Sequence, residues 1–281
     1  MKKVHLLMAM VMAIIVVIVL GVAYVLRPPA EATAPIEAIP LVVVTAQPES
    51  APPQDTPVSA PTAEPSPAVV EEAAEPTLPA VEETTTAAEP TPAAVAAEPV
   101  AAGGVTIYQI SQADSQVRFE LDEDLRGQRI TVVGVTNQVA GQLALNLEDL
   151  SQTQVGIIQI NARTLTTDNG NRNRAMQNQI LQTGSYELIT FTPTAVTNLP
   201  ARANIGETIS FAIAGELTIR NISQPVLFTV TATAVSDSQI NGTASTVINR
   251  GDFNLVIPNV PSVANVEEEV ELYIDFVARG S

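Results

Sequence analysis

Cysteine and tryptophan are absent from the 281 residues, and histidine occurs once, at His5. Without cysteine there is no disulfide, no thiolate nucleophile, no thiolate-bound metal and no lipid attached through sulfur. With its single histidine at the start, the rest of the chain lacks the usual general base and the commonest metal ligand, and no Ser-His-Asp arrangement can form there. Lysine ends at Lys3, and no basic residue stands between Arg27 and Arg118. A carboxylate pair of the glycosidase kind is the surviving catalytic possibility. No local spacing marks such a pair, so the chain is read as a non-enzyme with no cofactor and no metal site. The formal charge of −17 and pI near 4.3 argue against nucleic acid as a partner. Aromatics make up only 4% of the residues, which leaves the core to branched aliphatic side chains.

What is present begins with an apolar run from Val4 to Leu26. At about 1.5 Å per residue it is long enough to cross a hydrocarbon core of roughly 30 Å. Lys2 and Lys3 precede it and Arg27 follows alone, so the positive-inside bias keeps the N-terminus cytoplasmic and sends the rest across. Residues 1–27 are therefore read as a signal-anchor transmembrane helix of a single-pass cell-membrane protein, with an extracytoplasmic C-terminal domain. The alternative is a cleaved signal peptide and a secreted product, but such a peptide has a shorter apolar region ending at a small-residue site.

Residues 28–104 hold most of the prolines, about a dozen Asp and Glu, and no Lys or Arg. Proline removes a backbone donor, and few large apolar groups are available to offset chain entropy. This stretch is expected to be a disordered acidic Pro-rich linker, a stalk stiffened by self-repulsion.

From Val105 to Ser281 the pattern changes to strand-like alternation. Val117, Phe119 and Leu121 share one face. Val139 to Leu147, Ile158 to Ala162, Ile189 with Phe191, Ile209 to Ile219, Val226 to Val230 and Val270 to Ala278 repeat it. Turns are expected at Asp168-Asn169-Gly170, Ser223-Gln224-Pro225, Asn241-Gly242-Thr243 and Pro258-Asn259. One segment, Asn173 to Gln182, has helical spacing instead. The domain is thus all-β, about eight antiparallel strands with one short helix, and the stable solutions are a two-sheet sandwich or a closed barrel.

The order of "YQISQADSQVRFEL", "GVTNQVAGQLALN", "INARTLTTDNGNRNRAMQNQILQTGSYELITFTPTAV", "AGELTIRNISQPVLFTV", "INRGDFNLVIP" and "EEEVELYIDFVA" resembles the YceI-like family of polyisoprenoid-binding proteins over Val105 to Arg279. The resemblance implies an extended lipocalin-like barrel outside the cytoplasm, with a long isoprenoid held in an apolar tunnel. Ile180 and Leu181 stand where members usually carry two phenylalanines, which implies a narrower, more aliphatic tunnel.

With the resemblance, the inward faces give a candidate lining of Phe119, Leu143, Leu145, Ile160, Phe191, Phe211, Ile213, Leu217, Phe228, Val230, Ile274 and Phe276. The bland alternative is a dry core made of the same residues. Arg172 and Arg174 are candidates for a phosphate or quinone headgroup, or for pairing with local carboxylates. Arg250 and Asp252 are expected to make a turn or an ion pair, and the acidic clusters to be solvated. The expected function is to sequester or carry a long apolar lipid of polyisoprenoid type. Its partners are that lipid and, through the N-terminal helix, the bilayer. The alternative is a ligand-free envelope or surface interaction module on the same scaffold.

Overall fold

The computed structural model describes residues 2–25, 27–32, 35–43 and 104–280. An N-terminal helix, α1, spans Lys2–Val25. The domain contains β1 (Thr106–Ile110), β2 (Gln116–Leu125), β3 (Gln128–Thr136), β4 (Val139–Ala140), β5 (Gln142–Asn146), β6 (Asp149–Val155) and β7 (Ile158–Asn161). After a short helix, α2 (Gly170–Ala175), come β8 (Leu188–Thr197), β9 (Thr208–Ile219), β10 (Ile222–Ser236), β11 (Gln239–Asn249), β12 (Val263–Ala264) and β13 (Glu269–Gly280).

All pairings are antiparallel, in the order β4-β7-β8-β9-β10-β11-β13-β1-β5-β6, with β2 against β13, β3 and β12. The result is a curled, half-barrel sheet of lipocalin-like kind. Its order starts at β4 and comes back to β5, the next piece of chain after Gly141. The thirteen strands regroup into nine runs, one of them the two-residue β12, because breaks at residues 111–115, at 137–138 and 141, and at 156–157 split three of the runs.

The longest ladder pairs β9 with β10 from Ile219↔Ile222 to Thr208↔Thr233. Along β10, Phe228, Val230, Ala232 and Ala234 are buried, while Leu227, Thr229, Thr231 and Val235 are exposed. That period of two puts one side-chain row into the curl. The row tapers from Phe228 to alanines. Beyond them Tyr108 closes the narrow end, 1% exposed, its hydroxyl donating to the carbonyl of Asp237 at 2.7 Å. Burial, then the nearby Asp237 charge, raises the Tyr108 pKa above its ordinary value.

Several sequence expectations shift. Asn241-Gly242-Thr243 is not a turn but lies within β11, where Gly242 faces Phe276. Ser223-Gln224-Pro225 belongs to β10, and the reversal occurs before it, at Arg220 with φ +60°. The helix begins earlier than Asn173, because the Asn169 side chain accepts the backbone N–H groups of Asn171 and Arg172 and caps it. It then continues as a single π-helical turn, Met176–Ile180.

Taken over the described residues, no helix is long and apolar enough to cross a membrane. The crossing expected of Val4–Leu26 therefore rests on the sequence and not on the fold. The expected linker, 28–104, falls outside the described residues from 44 to 103. Its first part is described, and it lies against the domain. The carbonyl of Arg27 accepts from Asn178 Nδ2 at 2.7 Å, and that of Glu31 from Arg163 Nη1 at 3.2 Å. The Ile36 carbonyl accepts from Gln112 Nε2, and the Leu41 N–H donates to Gln142 Oε1 at 2.8 Å. At the other flank Gly104 packs beside Asn146. Leu41 and Gly104 thus both sit on β5.

Candidate functional site

The strand ends at Ile219, Asn249 and Leu125, the start of β13, helix α2 and residues 250–266 gather at the wide end of the curl. Inside that end lies a cavity of about 430 Å³. Its walls are Val117, Phe119 and Leu121 from β2, Leu217 and Ile219 from β9, Phe228 from β10, Ile248 from β11, and Val270, Leu272 and Ile274 from β13. Met176, Ile180 and Leu181 form one side of its roof, and Leu255, Ile257, Val260 and Val263 the other. Exposed Arg126 and Val260 belong to its rim, so it opens to the outside there.

A second cavity of about 50 Å³ lies deeper. The two share Phe191, Phe228 and Ile274. The rings of Phe191 and Phe228 meet edge to face, centroids 4.9 Å apart at 68°, a favoured aromatic geometry. That pair forms a partition between the open half and the tightly packed half.

Phenylalanine and glycine are matched across neighbouring strands. Phe119 faces Gly134, and Phe276 faces Gly242, each in direct register. Phe191 lies over Gly215, where an added Cβ would come within 2.6 Å of its ring. Each ring occupies the space a side chain on the glycine would take, so it lies along the wall.

Of the predicted lining, Phe119, Ile160 and Leu217 border the large cavity alone, and Phe191, Phe228 and Ile274 border both. Leu143, Phe211, Ile213, Val230 and Phe276 border only the small one. Leu145 borders neither. A register shift between Ala144 and Asn146 breaks the alternation, and Leu145 packs into the core instead. The free volume is therefore confined to the wide end and does not run the length of the axis. Ile180 and Leu181, singled out where members of the resembling family carry phenylalanines, both face it. Residues 255–266, "LVIPNVPSVANV", offer sequence reasoning only the turn at Pro258-Asn259. Their uncharged, valine-rich composition is the available signal that they cover something apolar.

The charged groups bordering the large cavity are Arg118, Glu123, Arg126, Arg172 and Arg250, four cations and one anion in a chain of charge −17. Arg172 is engaged on both sides, by buried Glu123 at 2.9 Å and by Asp168 at 2.5 Å. Arg174 does not reach the cavity, and its guanidinium donates to Asn171 at 3.3 Å. Arg250 pairs with Glu268 at 2.5 Å, not with Asp252, and opens a 3-10 turn, Arg250–Phe253. Arg118 lies 4.2 Å over the Tyr273 ring and 3.2 Å from Glu120. The Tyr273 hydroxyl donates to Glu271 at 2.5 Å, the main cause of its raised pKa. Arg126 has no ion pair among the described residues. No cluster of acids able to hold a metal occurs among the described residues either.

A lining of this kind holds hydrocarbon by exclusion of water, at about 25 cal/mol per Å². The volume lies within the roughly 300–1,000 Å³ of small-molecule pockets.

Among solved structures, a polyisoprenoid-binding domain from Saccharophagus degradans implicated in plant cell wall breakdown is similar at 13% identity. The match covers 62% of this chain and 98% of that one, with a TM-score of 0.50. BcnA of Burkholderia cenocepacia matches at 18% identity over 60% and 98%, TM-score 0.48. A Campylobacter jejuni YCEI protein matches at 15% over 51% and 81%, TM-score 0.41. At such identities the likeness concerns the fold. No curated protein matches. The YceI-like domain family matches residues 108–278, more than half of the sequence. On that match the chain belongs to the YceI-like domain family.

Proposed function

We propose that this protein is a membrane-tethered, extracytoplasmic carrier that holds a long apolar lipid of isoprenoid type in the wide end of its domain. The observation that carries this reading is the cavity of about 430 Å³ walled by aliphatic and phenyl groups. The family membership and the polyisoprenoid-binding domain among its structural neighbours support the lipid class. Interior volume also separates this reading from a ligand-free interaction module, which would fill the same space with side chains.

The tether rests on the sequence. Leu6 to Leu26 contains no charged residue, and its 21 residues would span about 30 Å as a helix at 1.5 Å per residue. Two lysines before it and one arginine after it orient the domain outward. Catalysis plays no part in this reading, since residues 28–281 contain no histidine, cysteine or lysine.

The test is lipid extraction and mass spectrometry of the purified chain beside an Ile189→Trp variant, whose indole would project into the large cavity that Ile189 borders and narrow it. An apolar lipid that accompanies the wild type and is depleted from the variant supports the proposal. Equal lipid content in both, or none in either, overturns it.

A further inference from the structure

We propose that residues 27–32 and 35–43 act as a strap that fixes the cavity mouth against the bilayer holding α1, with residues 255–263 meeting the lipid surface. The inference rests on the reading of α1 as a membrane anchor and of the cavity as a lipid site.

The strap starts at the wide end of the domain. Arg27, two residues past α1, is bonded through its carbonyl to Asn178, in the π-helical turn whose Met176 and Ile180 roof the cavity. From there its contacts run past Arg163 and Gln112 to Gln142 at the start of β5. A chain leaving a membrane at α1 therefore meets the mouth of the domain first. The stretch between residues 44 and 103 cannot set the height of the domain, because both of its described flanks lie on β5.

The same end presents apolar groups to solvent. Val256 is 72% exposed and Val260 40%, in a segment with no charged residue. It is pinned at its ends by Leu255 N–H to the Arg250 carbonyl at 3.0 Å and by β12 against β2. Arg220 donates to the carbonyls of Ile180 and Asn254, which places this segment beside the turn that receives Arg27. Arg126 and Arg220 sit on the hairpin tips of this end without a carboxylate partner among the described residues. Exposed valines flanked by guanidinium groups that no carboxylate neutralises suit a lipid surface: the apolar tips enter the acyl boundary and the cations meet phosphates. Lipid would then pass from leaflet to cavity without crossing water.

The absence of cysteine makes the test direct. The full chain is placed in phosphatidylcholine vesicles whose acyl chains carry spin-label quenchers. A polarity-sensitive dye is attached in turn at Val256→Cys, Val260→Cys and, at the opposite end, Ser238→Cys. Quenching at 256 and 260 with none at 238 is expected. Deleting residues 45–99 should leave that pattern unchanged, whereas Leu41→Asp combined with Gln142→Ala should abolish it. Flotation of each sample reports separately whether α1 anchors the chain. A floating chain with no quenching at 256 overturns the proposal and leaves the anchor intact. A chain that fails to float overturns the anchor and this inference together. Quenching that survives the strap substitutions removes the strap from the account.

Discussion

Phe228 stands where the open half of the interior meets the packed half, edge to face with Phe191. Phe228→Ala should join the two cavities, at a cost in stability of about 3–5 kcal/mol by chemical denaturation. The matching gain is a shift toward longer chains in a competition series of isoprenoid alcohols. A stability loss with unchanged chain-length preference would mean that the ring only packs. Asp114 offers a residue-level test through pH. Its carboxylate accepts from Ser111 at 2.7 Å and from Arg279 at 3.0 Å, and those bonds, the Ser111 hydroxyl first, hold its pKa below the ordinary 3.8. The folded value lies below the unfolded one, so the stabilisation is complete above 3.8 and fades as pH falls through the lowered value. Asp114→Asn should therefore lower the urea midpoint at neutral pH, and the gap to wild type should close on strong acidification.

At the level of elements, the glycines divide by what surrounds them. At Gly215 an added Cβ would stand 2.5 Å from the Thr192 carbonyl and 2.6 Å from the Phe191 ring. Gly215→Ala should cost about 1–3 kcal/mol as β9, β8 and the ring are forced apart. Gly170, opening α2, has nothing within 4 Å of the same position, and Gly170→Ala should instead gain about 0.4–1 kcal/mol. Urea unfolding of the pair reads both signs. The elements that were legible in the sequence are those with one wet and one dry face. β9, β10 and β13 alternate because neighbours pair with them on both edges and the curl buries one row. β6 was not legible: "DLSQTQV" pairs with β5 alone and buries little, so nothing demands apolar alternation of it. β11 was obscured by Asn241-Gly242-Thr243, whose glycine serves the Phe276 ring and not a turn. Where alternation was unbroken, the inward row read from the sequence borders one or other cavity. Leu145 borders neither, because a register shift between Ala144 and Asn146 interrupts the alternation there. One side of the cavity roof, Met176–Ile180, falls in the segment whose helical spacing the sequence showed, whereas the other, at 255–262, is irregular backbone with no period to read.

For the whole molecule, composition identified the acidic proline-rich stretch but not where it begins to matter. Residues 28–32 and 35–43 look like linker by sequence and lie along the domain in the structure. Their bonds are mostly made by backbone carbonyls, which any sequence offers, so side-chain patterning could not announce them.

The run that carries both β4 and β5 has a further consequence. Only Val139↔Ile160 and Ala140↔Gln159 join β4 to β7, whereas twelve residue pairs join β9 to β10. Such a two-pair seam is where the girth of the wall is least constrained. Breathing there would dilate the lumen to admit a bulky guest and leave the long ladders zipped. Asn161 donates its N–H to the Gln138 carbonyl across this seam at 3.0 Å, so amide deuterium uptake should be faster at Gln159 and Asn161 than at any interior position of β9 or β10. Leu41, bonded to Gln142 just past the seam, would act as a clasp on that dilation, so Gln142→Ala should quicken exchange at Asn161 and speed guest loading together.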